Sequence, residues 1–339
     1  MKYQRAGFFL ISIIAASACL ASPVAAQPKD YRGEIGNNHI QMRLNFNGSS
    51  ISGAYAYDSV GQELKLTGQA NAQGGLELKE FDAKGKQTGK FVCKNFNDPI
   101  DAECAWSRVD GTRESLVTLE PQNVAFTDGL EIKPKTISNR RTGVGASYPQ
   151  LTGKEPLNAA AQAFNRRVLE LIQKAIKEFQ PIDGRGSFDA NYNVLLGTND
   201  LVSVELNVYF DGGGAHPNNY FLSLTYDLAA NKELKFEDLF QSGTDYNTAI
   251  ARYLVEDIDK RAYAVEQKNA TDPKQVQKRD EPIISESQLS ELSGWGLTPK
   301  GLIVYFDFPH VIAYFDKNFV PFSVVKQFLK PNGPAAKFQ

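Results

Sequence analysis

Residues 40–57 read IQMRLNFNGSSISGAYAY. Ile40, Met42, Leu44 and Phe46 alternate with Gln41, Arg43 and Asn45, the two-residue period of a strand with one buried face. Asn47-Gly48 follows, a dipeptide that supplies the positive φ of a tight hairpin turn. Ile51, Tyr55 and Tyr57 then resume the alternation on the return strand. The same rhythm runs outward from this hairpin. Leu64 and Leu66, then Leu76 and Leu78, mark two more strands, and Gly85 separates Phe81 from a strand around Phe91. Ile100–Trp106 and Leu116–Leu119 complete a set of about eight. Short strands at near-regular spacing define an antiparallel β-meander over residues 27–128, either a small barrel or a sandwich.

Cys93 and Cys104 sit within this meander, each two residues from an aromatic side chain, Phe91 and Trp106. Neighbours two apart on a strand share a face. With Asn97-Asp98-Pro99 turning the chain between them, the cysteines are expected to face each other across a hairpin and to form a disulfide. There is no CxxC spacing, and neither thiol has companion ligands for a metal. The meander also lacks a cluster of acids, His or Ser with catalytic spacing. Its inward side chains would fill a small barrel, and the alternative is that they enclose a small apolar ligand.

The N-terminus reads as an export signal. Lys2 and Arg5 precede the apolar run Phe8–Ala18, and Val24-Ala25-Ala26 suits cleavage before Gln27, so residues 1–26 are expected to be a signal peptide. Anchoring through a lipid on Cys19 is the alternative, although Ala16 stands where a lipoprotein signal carries a larger aliphatic residue. Removing Lys2 and Arg5 takes the formal net charge from -2 to -2 − 2 = -4. The remaining chain has no further long apolar stretch, so no transmembrane segment is expected after cleavage, and the destination is the periplasm or the cell exterior. The near balance of 37 basic and 39 acidic residues argues against a nucleic-acid partner.

Beyond a junction at residues 121–135 the pattern changes. Pro156–Phe179 carries Leu157, Ala161, Phe164, Val168, Leu171, Ala175 and Phe179 at helical spacing, with Pro156 in the first turn and Pro181 ending the helix. Phe188–Leu196, Leu201–Phe210 and Tyr220–Leu228 read as strands. Asp245–Gln267 forms a second long helix, residues 269–281 an exposed loop, Gly301–Phe308 a strand and Ser323–Leu329 a short helix. Residues 129–330 are therefore expected to form an α+β domain with two long helices packed on an antiparallel sheet, followed by a tail at 331–339.

Three segments of this half have a family likeness: Ala146–Leu151 (ASYPQL), the loop Gly213–Pro217 (GGAHP) with the strand and LKFEDLF motif after it, and Leu297–Phe315 (LTPKGLIVYFDFPHVIAYF) before Val320-Pro321-Phe322. In order and spacing they resemble the domain shared by PdaC-type peptidoglycan deacetylases and the RsiV-type anti-sigma factor, over about 136–330. The resemblance implies work in the cell envelope. In the anti-sigma proteins the domain receives lysozyme, and in the deacetylases it accompanies a separate catalytic domain. The chain shows neither the acid and paired His of a deacetylase metal centre nor an internal transmembrane helix with a sigma-binding segment. Neither activity is expected of it.

What remains is a non-catalytic envelope protein that binds a lysozyme-like protein or peptidoglycan. A glycan-acting enzyme and a carrier of a small apolar ligand are the alternatives. Gly212, Gly213, Gly214, His216 and Asn218 are the candidate ligand contacts, because glycines let another chain approach closely. The competing reading is a wide turn that re-aims a strand. No cofactor is expected. No metal site is expected either: His216 and His310, with Asp211, Asp227 or Asp307, lack the close spacing of zinc ligands. Glu237 and Asp238 suit the first turn of a helix, and with Glu233 they read as structural. The pairs Tyr209-Phe210, Tyr220-Phe221, Tyr305-Phe306 and Tyr314-Phe315 place one aromatic on each face of a strand, leaving open a core or a binding role.

Overall fold

The computed structural model describes residues 28–96, 103–184, 186–272, 276–277 and 279–338. The expected signal segment with Cys19, and the expected turn at Asn97-Asp98-Pro99, lie outside them.

The meander is a closed barrel of eight antiparallel strands in sequential order. They are β1 (Lys29–Ile35), β2 (Asn38–Asn47), β3 (Ser50–Tyr57), β4 (Glu63–Ala70), β5 (Leu76–Phe81), β6 (Gln87–Lys94), β7 (Glu103–Arg108) and β8 (Ser115–Gln122). β1 pairs with both β2 and β8, so no edge is left open. Closure brings backbones close enough at Gly33 that a Cβ there would lie 1.8 Å from the Thr118 carbonyl oxygen. Ile40, Met42, Leu44, Ile51, Tyr55, Leu66, Leu76, Leu78 and Phe91 fill the interior. Cys93 and Cys104 are register partners across β6 and β7 and are disulfide-bonded.

One inward position is charged. Glu80 is in phase with Leu76 and Leu78 and is 3% exposed. Its carboxylate accepts hydrogen bonds from Tyr55 Oη (2.6 Å), Trp106 Nε1 (2.7 Å) and Thr88 Oγ1 (2.5 Å). Three donors meet the requirement that a buried carboxylate be hydrogen-bonded.

The second part is α+β. Its main sheet has the order β14-β13-β12-β11-β10-β9. These strands are β9 (Glu131–Asn139), β10 (Val144–Thr152), β11 (Ser187–Gly197), β12 (Leu201–Asp211), β13 (Asn218–Asp227) and β14 (Lys232–Glu233). The sheet is antiparallel except between β10 and β11, which pair in parallel. Parallel neighbours need a crossover, and α1 (Ala159–Glu178) supplies it. The Asn158 side chain caps α1 by accepting from Ala161 N at 2.8 Å. Pro156 therefore precedes the cap instead of occupying the first turn. Ala161, Phe164, Val168, Ile172 and Ala175 are buried against the sheet.

The second long helix, α2 (Tyr246–Asn269), does not share that sheet. Ile250, Leu254 and Ile258 pack with Leu297, Leu302, Val304 and Val320 from a separate three-stranded sheet. Its strands are β15 (Gly294–Leu297), β16 (Gly301–Tyr305) and β17 (Lys317–Pro321), followed by the short α3 (Phe322–Val325). Asp238 accepts from Lys235 N at 3.0 Å and pairs with Lys232 at 3.0 Å, a structural use of that acid.

Cys93 and Cys104 are 11 residues apart. A closed loop of that size restricts the unfolded chain, so replacing both by Ala should cost roughly 2–3 kcal/mol. Denaturant unfolding monitored by Trp106 fluorescence reads that loss.

Candidate binding surface

The main sheet has two unlike faces. Phe188, Ala190, Tyr192, Val202, Val204, Leu206 and Leu224 point toward α1. The opposite face carries Asp189, Asn191 and Asn193 on β11, Ser203, Glu205, Asn207 and Tyr209 on β12, and Phe221, Ser223 and Thr225 on β13. Pairing aligns them in rows: Asp189–Tyr209–Asn219, Asn191–Asn207–Phe221 and Asn193–Glu205–Ser223.

The barrel docks on part of this polar face. Arg32 projects from β1, its neighbours Tyr31 and Gly33 being directed to the barrel side. Its guanidinium donates to Asp58 Oδ1 (2.8 Å), Asp58 Oδ2 (2.6 Å) and Asn191 Oδ1 (2.6 Å), and lies 4.0 Å from the Tyr192 ring centroid. The ion-paired side chains are 4% and 2% exposed. Ser147 on β10 also donates to Asp58. His39 on β2 lies between two acids, with Nε2 at 2.9 Å from Asp189 Oδ2 and Nδ1 at 3.1 Å from Glu34 Oε1. The second contact has ion-pair distance without hydrogen-bond alignment. Burial acts to lower the His39 pKa, but Asp189 and Glu34 prevail and push it up to about 9.

A second bridge joins the barrel, the main sheet and β17. Lys317 Nζ contacts Glu205 Oε1 at 2.6 Å and Glu120 Oε2 at 3.7 Å. Asn193 donates to Glu120 (2.7 Å) and Glu205 (2.9 Å), and Tyr305 donates to Glu205. Crowding at this junction and the nearby Glu205 charge raise the pKa of Glu120, which stays open to solvent on one side, and the Lys317 charge acts against the rise. The connection after β8 is tied down as well: Ala125 N donates to Gly197 O and Gly197 N to Asn123 O, both at 2.7 Å.

Beyond these bridges the face is open. Asn207 and Asn219 are exposed, and Tyr209 is 45% exposed. The loop after β12 holds Gly212, Gly213 and Gly214. Gly213 has φ +81°, and a Cβ added at Gly212 or Gly214 would meet nothing within 4 Å. His216 and Asn218 are exposed on the same loop and at the start of β13. The His216 ring stacks on His310 with centroids 5.2 Å apart and planes at 14°. This contact brings in the 3-10 turn His310–Phe315, where Val311 is 89% and Tyr314 76% exposed.

The aromatic pairs therefore divide. Phe210 packs beside Phe179, while Tyr305, Phe306 and Phe315 are buried. Tyr209 and Tyr314 remain outside. Among the described residues, Glu34, His39 and Asp189 form the one group of three or more metal-ligating side chains. Their salt bridges engage His39 as a cation, whereas a metal requires a free imidazole nitrogen. The sequence reading missed Arg32, Asp58, His39 and Glu205. Glu205 had a visible signal, an acid inside the apolar run Leu201–Val208.

Residues 237–316 match the model of a protein family of unknown function, DUF3298. No curated protein matches the chain. Two solved structures are similar. A DUF3298 family member from Bacteroides fragilis has 14% identity and a TM-score of 0.40, covering 60% of this chain and 94% of its own. A DUF3298 family protein from Pseudomonas aeruginosa has 16% identity and a TM-score of 0.37, with the same 60% and 94% coverage.

Replacing Arg32 by Met should cost about 3–5 kcal/mol in denaturant unfolding, because Asp58 is left buried without its cation. His39 gives a pH signature. Its pKa is raised from 6.5 to about 9 on folding. The stabilisation it contributes is therefore complete below pH 6.5 and is lost as pH rises through 9. Unfolding free energies measured from pH 6 to 10 should fall across that window, and His39→Gln should remove that component.

Proposed function

We propose that the protein is a non-catalytic binder of the cell envelope and that its ligand is peptidoglycan glycan. The observation that carries this reading is the run of exposed side chains from Asn207 and Tyr209, through the 212–218 loop, to Val311 and Tyr314. Tyrosine offers an apolar ring and a polar hydroxyl, and each Asn amide both donates and accepts, which suits the alternating faces and hydroxyls of a sugar. Gly212–Gly214 keep the loop free of side chains that would hold a chain-like ligand away.

The resemblance to the PdaC/RsiV-like domain supports an envelope role, and the 237–316 family match lies within the stretch that carries it. The disulfide fits an oxidising compartment, periplasmic or exterior. No helix of the described residues is long and apolar enough to cross a membrane. A lysozyme-like protein is the second reading. The exposed Val311 and Tyr314 favour it as anchors for a protein partner, and the acidic balance expected after processing suits a basic one. The barrel interior is occupied by its own side chains, which disfavours the carrier reading.

Co-sedimentation with purified sacculi tests the proposal. The protein should be retained without releasing soluble fragments, and Tyr209→Ala with Tyr314→Ala should lower the retained fraction at least fivefold. Retention on immobilised lysozyme but not on sacculi would select the protein partner. Retention on neither would reject both readings, and fragment release would indicate an enzyme.

A further inference from the structure

We propose that His216 and His310 together form a surface site for a borderline transition-metal cation of the Cu2+, Ni2+ or Zn2+ class. The inference is independent of the glycan reading. It rests on two imidazoles, 94 positions apart in the chain, whose ring centroids lie 5.2 Å apart with near-parallel planes.

Both rings are exposed, and among the described residues neither has a hydrogen-bond or ion-pair partner. His39 provides the contrast, with carboxylates at both nitrogens. An imidazole without such partners keeps a lone pair for a metal, and imidazole ligands suit this class of cation.

The backbone under each ring is held. On one side, Gly213 N donates to Asp211 Oδ1 and Ile182 N donates to Gly212 O, both at 2.8 Å, and Pro217 follows His216. On the other, Pro309 precedes His310 and its carbonyl accepts from Ile312 N at 2.9 Å. The buried Asp316 accepts from Phe308 N at 2.9 Å, fixing the far end of the turn. Much of the ordering cost of bringing two ligands together is thus met by the fold. A metal bonds each imidazole through its in-plane lone pair at about 2.1 Å, so both rings must turn until their nitrogens point at one ion, and the exposure of both side chains leaves them room to do so.

Two protein ligands leave the other coordination positions to water. The site is open, and weaker than a closed structural centre with four protein ligands. Of the three cations Cu2+ forms the strongest complexes with nitrogen donors, which makes it the probe of choice.

Tag-free protein titrated with Cu2+ alone should take up one equivalent, and its electron paramagnetic resonance spectrum should carry hyperfine structure from two imidazole nitrogens. His216→Ala and His310→Ala should each weaken binding at least tenfold, and the double variant should show no saturable uptake, with thermal unfolding unchanged. No saturable uptake by the unaltered protein would overturn the proposal. So would a spectrum with a single imidazole, or uptake that persists in the double variant. The spectrum of the unaltered protein counts its nitrogens directly, so the test stands even where a variant folds poorly.

Discussion

The arrangement depends on one buried cation. Arg32 leaves the barrel wall and enters a space where Asp58, Asn191 and the Tyr192 ring meet it. Removing a guanidinium and a carboxylate from water costs several kcal/mol each unless the pairing geometry is good and the remaining donors are satisfied. Here the ion pair is bidentate, and Ser147 and Asn191 extend it into the main sheet. Arg32 and Asp58 both belong to the barrel, so a displaced barrel would keep their ion pair but lose the hydrogen bonds to Asn191 and Ser147 and leave those main-sheet groups without their partners. The network therefore selects one docking position as well as contributing to adhesion.

That position explains the division of the main sheet. Its apolar face is closed by α1, and its polar face is shared. The barrel covers the end at Asn191, while the three-stranded sheet covers Ser203 and Ser223, which accept from Leu297 N (2.9 Å) and Trp295 N (3.1 Å). Glu205 lies where all three parts meet and is neutralised by Lys317. Only the outer rows, with Asn207, Tyr209 and Asn219, reach water. The proposed binding surface is thus the part of a polar face that neither neighbour occupies, and the His216–His310 stack joins it to the exposed turn.

Strands and helices that bury one face could be read directly. The alternation from Ile40 to Tyr57 identified the hairpin, and the spacing of Phe164, Val168 and Ala175 identified α1, because period and burial are coupled within one element. The helical stripe shows where this reading loses detail: Leu171 packs against the core only partly buried, while Ile172 beside it is fully buried. Glu80 shows a different limit. It keeps the inward phase of Leu76 and Leu78, but its partners Tyr55, Thr88 and Trp106 come from three other strands. Of the expected site, the Gly212–Gly214 turn and the exposure of His216 and Asn218 were legible from local composition. The choice of outward aromatic in each pair was not, since it depends on what covers each face.

The sequence by itself determined an antiparallel β-meander, a barrel or a sandwich, with an α+β partner and a cysteine pair placed to join. Each follows from repetition or proximity along a few adjacent elements. Tertiary structure alone decided where the barrel sits, which acids are neutralised, and that two histidines 94 positions apart touch. The physical reason is desolvation. The cost of burying Arg32, Asp58 or Glu205 is set by partners from distant strands, and no local pattern of residues records which partners those will be.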